Sequence, residues 1–388
     1  MKADIPGGSV ASGRDGRYRP IVAFLRPGAT LAEYEMNYVS LLADDFALRV
    51  LTVGDTAIGG TPEGVRRLKW PDEFTWKGRR RSLLNGLYAR FFGRRGHVPG
   101  LMGALRGASL VQAGEAASEY SYQAARLKER LGFRLLLSAS ENQEILAHRD
   151  KAHEERIRFT LARVDHALAI PPAARDRLVE AGLPPEKITV IGHGIDCDRF
   201  SPERRETSDT IRVGYCGRFR REKGLAFLIE ATEPLDLDLV LLGDGPDRSD
   251  LIHRAHHRVQ FQPELPYGRM HNFYKGIDIF ALPSIPLPGL VEQFGFVLME
   301  AMASGIPIVA SHIGGIPHVV GAEAGEGCAL LVPPGDTHAL REAIHRLAAD
   351  PSLRAGMGAA GIARARKLFR REDVADRMRR VYRELLTA

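Results

Sequence analysis

The sequence predicts an α/β protein of two domains, each a parallel sheet covered by helices on both faces, and three observations carry that prediction. The chain has 388 residues, more than one hydrophobic core ordinarily serves, so two domains of about 190 residues are the natural division. Short apolar runs alternate along it with stretches of helical spacing, the pattern of a parallel sheet buried between helices. Midway, HGIDCDRFSPERR, His193 through Arg205, interrupts the alternation with Gly, Pro and charged residues that follow no period, as a linker does.

In chain order, residues 1–18 read as a loose tail rich in Gly, Ser and Arg, without the apolar core of a secretory signal. Ile21 to Leu25 is a buried strand ending at Arg26-Pro27-Gly28-Ala29-Thr30, and Leu31 to Asp45 has helical spacing. Ligands collect at the carboxyl ends of strands in such units. Further strands are expected at Arg49–Val53, Val65–Trp70, Ser109–Gln112, Arg134–Ser138, His166–Ile170 and Ile188–Ile191. These make residues 19–195 the N-terminal domain. A second alternating series over residues 196–371 has strands at Arg212–Cys216, Leu237–Leu242, Val259–Phe261, Ile277–Leu282, Ile306–Ala310 and Cys328–Val332. Glu372 to Leu386 suits an amphipathic helix, with Val374, Met378, Val381, Leu385 and Leu386 on one side.

The formal charge of +6 favours an anionic partner, and composition alone leaves nucleic acid, phospholipid and nucleotide open. Cys197, Cys216 and Cys328 have no metal-ligand spacing, so a reducing cytoplasm is the simplest compartment. No apolar run reaches the roughly 18 residues of a transmembrane helix. Between Glu73 and Glu115 no acidic residue occurs, while Lys77, Arg79, Arg80, Arg81, Arg90, Arg94, Arg95 and Arg106 all fall inside. The enclosed Ser82–Phe92 segment is amphipathic if helical. Two readings stand for residues 77–106: peripheral contact with an anionic membrane, or an apolar side packed on its own domain with solvated arginines.

The stretch with the most chemistry is VEQFGFVLMEAMASG, Val291 to Gly305. It reads as a loop feeding a buried helix capped by Gly305 and stopped by Pro307. Glu292 would stand at or just before the helix start and Glu300 two turns on, about 12 Å along the axis if both are helical. The amides of Phe294, Gly295 and Phe296 would then offer an anion site, and the carboxylates could accept hydrogen bonds from sugar hydroxyls. A capping Glu292 and a solvent-facing Glu300 would explain the same letters. At the second domain's first strand, VGYCGR leads to FRREKG. There Gly217 permits close backbone approach, Arg218 can grip phosphate bidentately and Lys223 supplies a movable charge. An exposed basic turn is the plain alternative. Neither GxxxxGK[ST] nor a strand-linked GxGxxG is present, which disfavours a P-loop NTPase or a dinucleotide oxidoreductase. Gly314 and Gly315 in SHIGGIP also permit close approach to a ligand.

Taken together, GR-F-RREKG, LGDGP, YKGIDIFALPS and E-Q-FG-FVLMEAMASGIPIVAS-HIGGIPHVV, in that order, strongly resemble the retaining glycosyltransferases of family 4. HGIDCDRFSP resembles that family's interdomain linker. The match spans about Ala169 to Ala349 and is looser before it. The resemblance implies a GT-B fold: two Rossmann-like domains with a donor cleft between them, the last helix, about 372–388, crossing back to the first. It implies an enzyme that moves a glycosyl unit from a UDP- or GDP-linked sugar to the hydroxyl of a glycan, glycolipid or small-molecule acceptor, without metal or cofactor and without nucleic acid. By motif position, Arg218 and Lys223 would hold the diphosphate, Glu292 the transferred sugar, Glu300 the ribose, and the Phe294 and Gly295 amides sugar and phosphate. The loop at Gln262 to Leu265 would meet the base. In the first domain Gly28 would neighbour the donor phosphate. Glu115 would touch donor sugar or acceptor, or else start a helix; Glu141-Asn142-Gln143 would help bind acceptor; His193 and Asp196 would shape the hinge. A nucleotide-sugar 2-epimerase of the same fold and a non-catalytic two-domain binding protein are the alternatives.

Overall fold

The computed structural model describes residues 11–12, 18–25, 37–53, 65–70, 100–140, 145, 151–170, 172–202, 210–288, 290–322, 325 and 327–388. The chain divides into two units, Met1–Ile191 with Val374–Ala388, and Gly192–Asp373.

In the first unit, β1 (Ala11–Ser12) and β2 (Tyr18–Arg19) pair antiparallel, so part of the expected loose tail is held in a two-stranded sheet. Seven strands follow: β3 (Ile21–Leu25), β4 (Ala47–Val53), β5 (Val65–Trp70), β6 (Leu110–Gly114), β7 (Arg134–Ala139), β8 (His166–Ala169) and β9 (Ile188–Val190). They form one parallel sheet in the order β5-β4-β3-β6-β7-β8-β9. Strand β3 is buried at every position, as an apolar run covered on both faces must be. The described helices are α1 (Leu101–Leu105), α2 (Glu119–Leu131), α3 (Lys151–Leu161) and α4 (Pro172–Glu180). Ser118 caps the start of α2 by accepting from the Tyr120 amide, and Gly132, at φ 71°, ends it. Where a helix over 31–45 is expected, the described part holds a 3₁₀ helix, Val39–Leu42. Tyr38, Leu42 and Phe46 are buried, so their helix-like spacing is met by a tighter turn that delivers the Ala47 amide to the Pro20 carbonyl at 3.0 Å.

The second unit has six parallel strands: β10 (Arg212–Cys216), β11 (Asp238–Leu242), β12 (Val259–Gln262), β13 (Ile279–Leu282), β14 (Ile308–Ser311) and β15 (Ala329–Val332). Their order is β12-β11-β10-β13-β14-β15. Central β13 and β14 are wholly buried, whereas the edge strands β12 and β15 are half-exposed. Around them lie α5 (Leu225–Thr232), α6 (Arg248–Arg254), α7 (Met270–Lys275), α8 (Phe296–Ala303), α9 (Ile316–Val320), α10 (Thr337–Ala349) and α11 (Pro351–Leu368). Both sheets have the doubly wound order, reversing beside their first strand: between β3 and β6, and between β10 and β13. In this architecture the carboxyl ends at that reversal form the ligand crevice.

The last helix, α12 (Arg371–Thr387), belongs to the first unit from Val374 onward. There Tyr382 is fully buried, 5.3 Å from the Phe46 ring and 6.5 Å from Phe24 by centroids. Its hydroxyl donates to Gln112 Oε1, and Gln112 Nε2 donates to Ser138 Oγ at 2.6 Å. Asp45 pairs with Arg379 and Arg383; burial pushes its carboxyl up, but the two guanidiniums outweigh that and hold it below the usual range. Within the second unit, the Ile195 amide donates to Phe369 O at 2.7 Å and the Arg371 amide to Ile195 O at 3.0 Å. Asp196 bonds Arg371 at 2.7 Å, so the stretches on which the chain enters and leaves this unit are laced side by side. All three cysteines are buried and free.

Candidate active site

The end of β10 is built by glycines that pack against the chain itself. A Cβ at Gly243 (φ 138°) would collide with the Gly217 carbonyl oxygen, and one at Gly217 (φ 144°) would meet the Tyr215 hydroxyl at 2.9 Å. Gly243 is therefore required by the contact of two neighbouring strand ends, and Gly217 by its own φ and by the Tyr215 hydroxyl beside it. The Tyr215 hydroxyl donates to Arg218 O at 3.0 Å, fixing the backbone of an arginine whose side chain is exposed. A 3₁₀ turn, Arg221–Lys223, follows. Gly224 (φ 67°) then has no room for a Cβ, because the Pro283 carbonyl oxygen occupies that place. The Ile285 amide donates to Glu222 O at 2.8 Å. Lys223 is thus pinned to the end of β13, across the point where the strand order reverses.

There the ammonium of Lys223 meets Glu292 Oε2 at 2.6 Å, the side chains only 19% and 12% exposed. Ser284 Oγ donates to the same oxygen at 3.1 Å. A phosphate-gripping cation and a sugar-holding carboxylate are expected as separate features; they form one ion pair, since two charges largely withdrawn from water compensate each other. Helix α8 begins at Phe296, behind Gly295 at φ 75°, so Glu292 stands in the preceding loop and not on the helix. Its backbone is held from the other side. A Cβ at Gly314 or Gly315 would collide with Glu292 O or Gln293 O, and the Gly315 amide donates to Glu292 O at 3.0 Å. The close approach foreseen at these glycines is to the Glu292 loop. No side chain caps the start of α8, which leaves that end suited to an anion. The Phe294 ring is buried against His193 at 4.8 Å, and His193 also lies 4.0 Å from Phe296 by centroids. His193 and Phe294 thus brace the helix start.

Glu300 is 5% exposed, not solvent-facing. Tyr274 on α7 donates to its Oε2 at 2.7 Å, and the Cys216 sulfur lies 3.1 Å from the Tyr274 hydroxyl. Burial pushes the Glu300 carboxyl up to about 7, against the Tyr274 hydrogen bond, which lowers it. Tyr274, Ser284 and Cys216 have no role in the sequence reading. The available signal was a carboxylate inside an apolar helical run, which demands a buried donor from elsewhere. Leu265 is half-buried beyond the end of the edge strand β12.

In the first unit Glu115 follows β6 at φ 54°, the one non-glycine with positive φ among the described residues. Its Oε1 accepts from the Ser140 amide at 2.8 Å and the Ser140 hydroxyl at 2.6 Å, tying the ends of β6 and β7. Helix α2 starts at Glu119, so Glu115 is not a helix-start glutamate. Gly28, Glu141-Asn142-Gln143 and residues 77–99 lie outside the described residues. Among the described residues no cluster of three or more His, Cys, Asp or Glu side chains could hold a metal, and no helix is long and apolar enough to cross a membrane.

The fold recurs in solved structures. Sucrose-phosphate synthase from Thermosynechococcus elongatus matches with a TM-score of 0.74 at 23% identity, over 95% of this chain and 100% of that one. Anabaena HepE in complex with UDP matches with a TM-score of 0.72 at 18% identity, over 94% and 99%. Among curated sequences, alpha-maltose-1-phosphate synthase of Mycolicibacterium smegmatis is 27% identical over 59% of this chain. A GDP-mannose-dependent monoacylated alpha-(1-6)-phosphatidylinositol monomannoside mannosyltransferase of Corynebacterium glutamicum is 33% identical over 48%. The chain spans 65% and 53% of those two relatives' lengths. Residues 71–199 match the model for Glycosyltransferase Family 4 and residues 197–364 that for Glycosyl transferases group 1. With one model taking over where the other ends, the chain belongs to the GT-B glycosyltransferases.

Proposed function

We propose that the chain is a retaining glycosyltransferase that takes a nucleotide-diphosphate sugar and transfers the glycosyl unit to an acceptor hydroxyl. The observation that carries this reading is the Lys223–Glu292–Ser284 cluster at the strand reversal, beside the uncapped start of α8. A diphosphate entering there would draw Lys223 toward itself and free Glu292 for sugar hydroxyls. Arg218 and Lys223 would neutralise the diphosphate as the bond from anomeric carbon to phosphate oxygen breaks and its electron pair leaves with the nucleotide. The acceptor oxygen forms the new bond, and its proton passes to the departing diphosphate. Two cations suffice for that charge, so no divalent ion is required. UDP in HepE and the GDP-mannose dependence of the C. glutamicum relative support a UDP- or GDP-linked donor.

The test is a thermal-shift screen of UDP- and GDP-sugars, since a ligand of the folded state raises Tm, followed by product mass spectrometry with glycan, glycolipid and small-molecule acceptors. Lys223→Ala and Glu292→Gln are each expected to lower kcat about 100-fold or more with the fold retained by circular dichroism. Wild-type turnover in either variant would remove the cluster from the reaction.

A further inference from the structure

Cys216, Tyr274 and Glu300 form a buried polar chain that the transfer chemistry does not use. Tyr274 is fully buried and Cys216 nearly so, and their distances give the chain a direction. A tyrosine has one hydroxyl proton. It goes to Glu300 Oε2 at 2.7 Å in preference to Val297 O at 3.2 Å, and the Cys216 thiol at 3.1 Å donates in turn to the tyrosine oxygen. Cys216 is the last residue of β10, directly before Gly217 and Arg218. Oε1 of Glu300 takes no hydrogen bond from the described residues, on a side chain 5% exposed. That oxygen still reaches the solvent, so it stays open to a donor from a ligand.

We propose that Tyr274 is a positioning residue for nucleotide binding: anchored by Cys216, it locks Oε2 of Glu300 and so presents Oε1 to the vicinal diol of the ribose. A carboxylate oxygen has two lone pairs, so Oε1 alone can accept both hydroxyls. The chain also links the ribose acceptor to the strand end that carries Arg218, holding the sugar-binding and phosphate-binding halves of the nucleotide site in register. This inference rests on the reading of the chain as a nucleotide-sugar enzyme.

The experiment is a cycle between one hydroxyl on the protein and one on the ligand. Affinities of UDP, GDP and ADP and of their 2′-deoxy forms are measured by calorimetry for the wild type and Tyr274→Phe. The wild type is expected to bind the ribo form at least about tenfold more tightly than the deoxy form, the worth of a hydrogen bond to a charged group. In Tyr274→Phe that ratio is expected to fall to about two, chiefly through loss of ribo-form affinity. Donor KM should rise more than kcat falls, because the ribose lies away from the bond that breaks. A merely structural tyrosine would weaken both forms equally and keep the ratio, which overturns the proposal, as does a wild-type ratio near one. If Tyr274→Phe does not fold, Cys216→Ala, which keeps the tyrosine but releases its hydroxyl, is expected to lower the ratio about threefold; an unchanged ratio there overturns it equally. A wild type that binds none of the three nucleotides defeats the nucleotide-sugar reading itself, and this proposal with it. Binding with an unaltered ratio defeats only the role of Tyr274.

Discussion

Gly224 joins two strand ends with no atom to spare. Its left-handed backbone and the Pro283 carbonyl against it mean that Gly224→Ala must strain φ and push Lys223 away from Ser284. We expect a loss of at least about 2 kcal/mol in urea unfolding, together with weaker donor binding. Glu300 makes a separate demand. In the unfolded chain its carboxyl ionises near 4.5, in the folded protein near 7. Between those values the folded state keeps a proton that the unfolded state has lost, so stability falls as pH rises and levels off above about 7. The shift corresponds to about 3 kcal/mol. Glu300→Gln lacks this titration, so its stability relative to wild type should improve by about that amount from pH 4.5 to 7. Equal pH slopes in parallel urea melts would contradict it. Residue identity marked Glu292, Lys223 and Glu300 as candidates, because carboxylates and lysines beside glycine turns are conspicuous in sequence. It did not show that Lys223 and Glu292 pair, since residues 223 and 292 meet only through the pairing of β10 with β13.

At the scale of elements, the site loop is supported from behind. Arg364 on α11 is buried and donates to Val319 O at 2.7 Å and His318 O at 2.6 Å, closing the carboxyl end of α9, whose other end follows the glycines that hold Glu292. A guanidinium suits the negative end of a helix. Arg364→Met keeps the volume and removes the donors. It is expected to cost about 2 kcal/mol and to loosen donor binding without changing any residue of the ion pair, read by urea melts and calorimetry on one preparation. The strands themselves were legible: every expected strand appears, each within two residues of its predicted ends, because most are written as short apolar runs, the mixed VRRLKW and VQFQ lying at sheet edges. The start of α8 was not. Apolar periodicity runs continuously from Phe294 onward, and only Gly295 at φ 75° breaks it, a conformation that the letter G permits without requiring. Glu115 is the converse case, a left-handed glutamate held by Ser140, where nothing in the sequence announces positive φ.

For the whole molecule, two parallel sheets covered by helices follow from alternation alone, and the GT-B family from the order of motifs in the second unit. The strand reversals were not readable, since strand order in a sheet is set by crossovers and not by composition. The last helix links the chain's end to its beginning: Tyr382 sits on Phe24 and Phe46 while the second unit is one uninterrupted stretch, Gly192–Asp373. A chain ended at residue 373 should lose the first unit to limited proteolysis and keep fragments of the second. The same arrangement sets a schedule for biosynthesis. A ribosome finishes the second unit while the first, begun earlier, still awaits residues 374–388, so the first sheet must wait with Phe24 and Phe46 uncovered until that helix emerges.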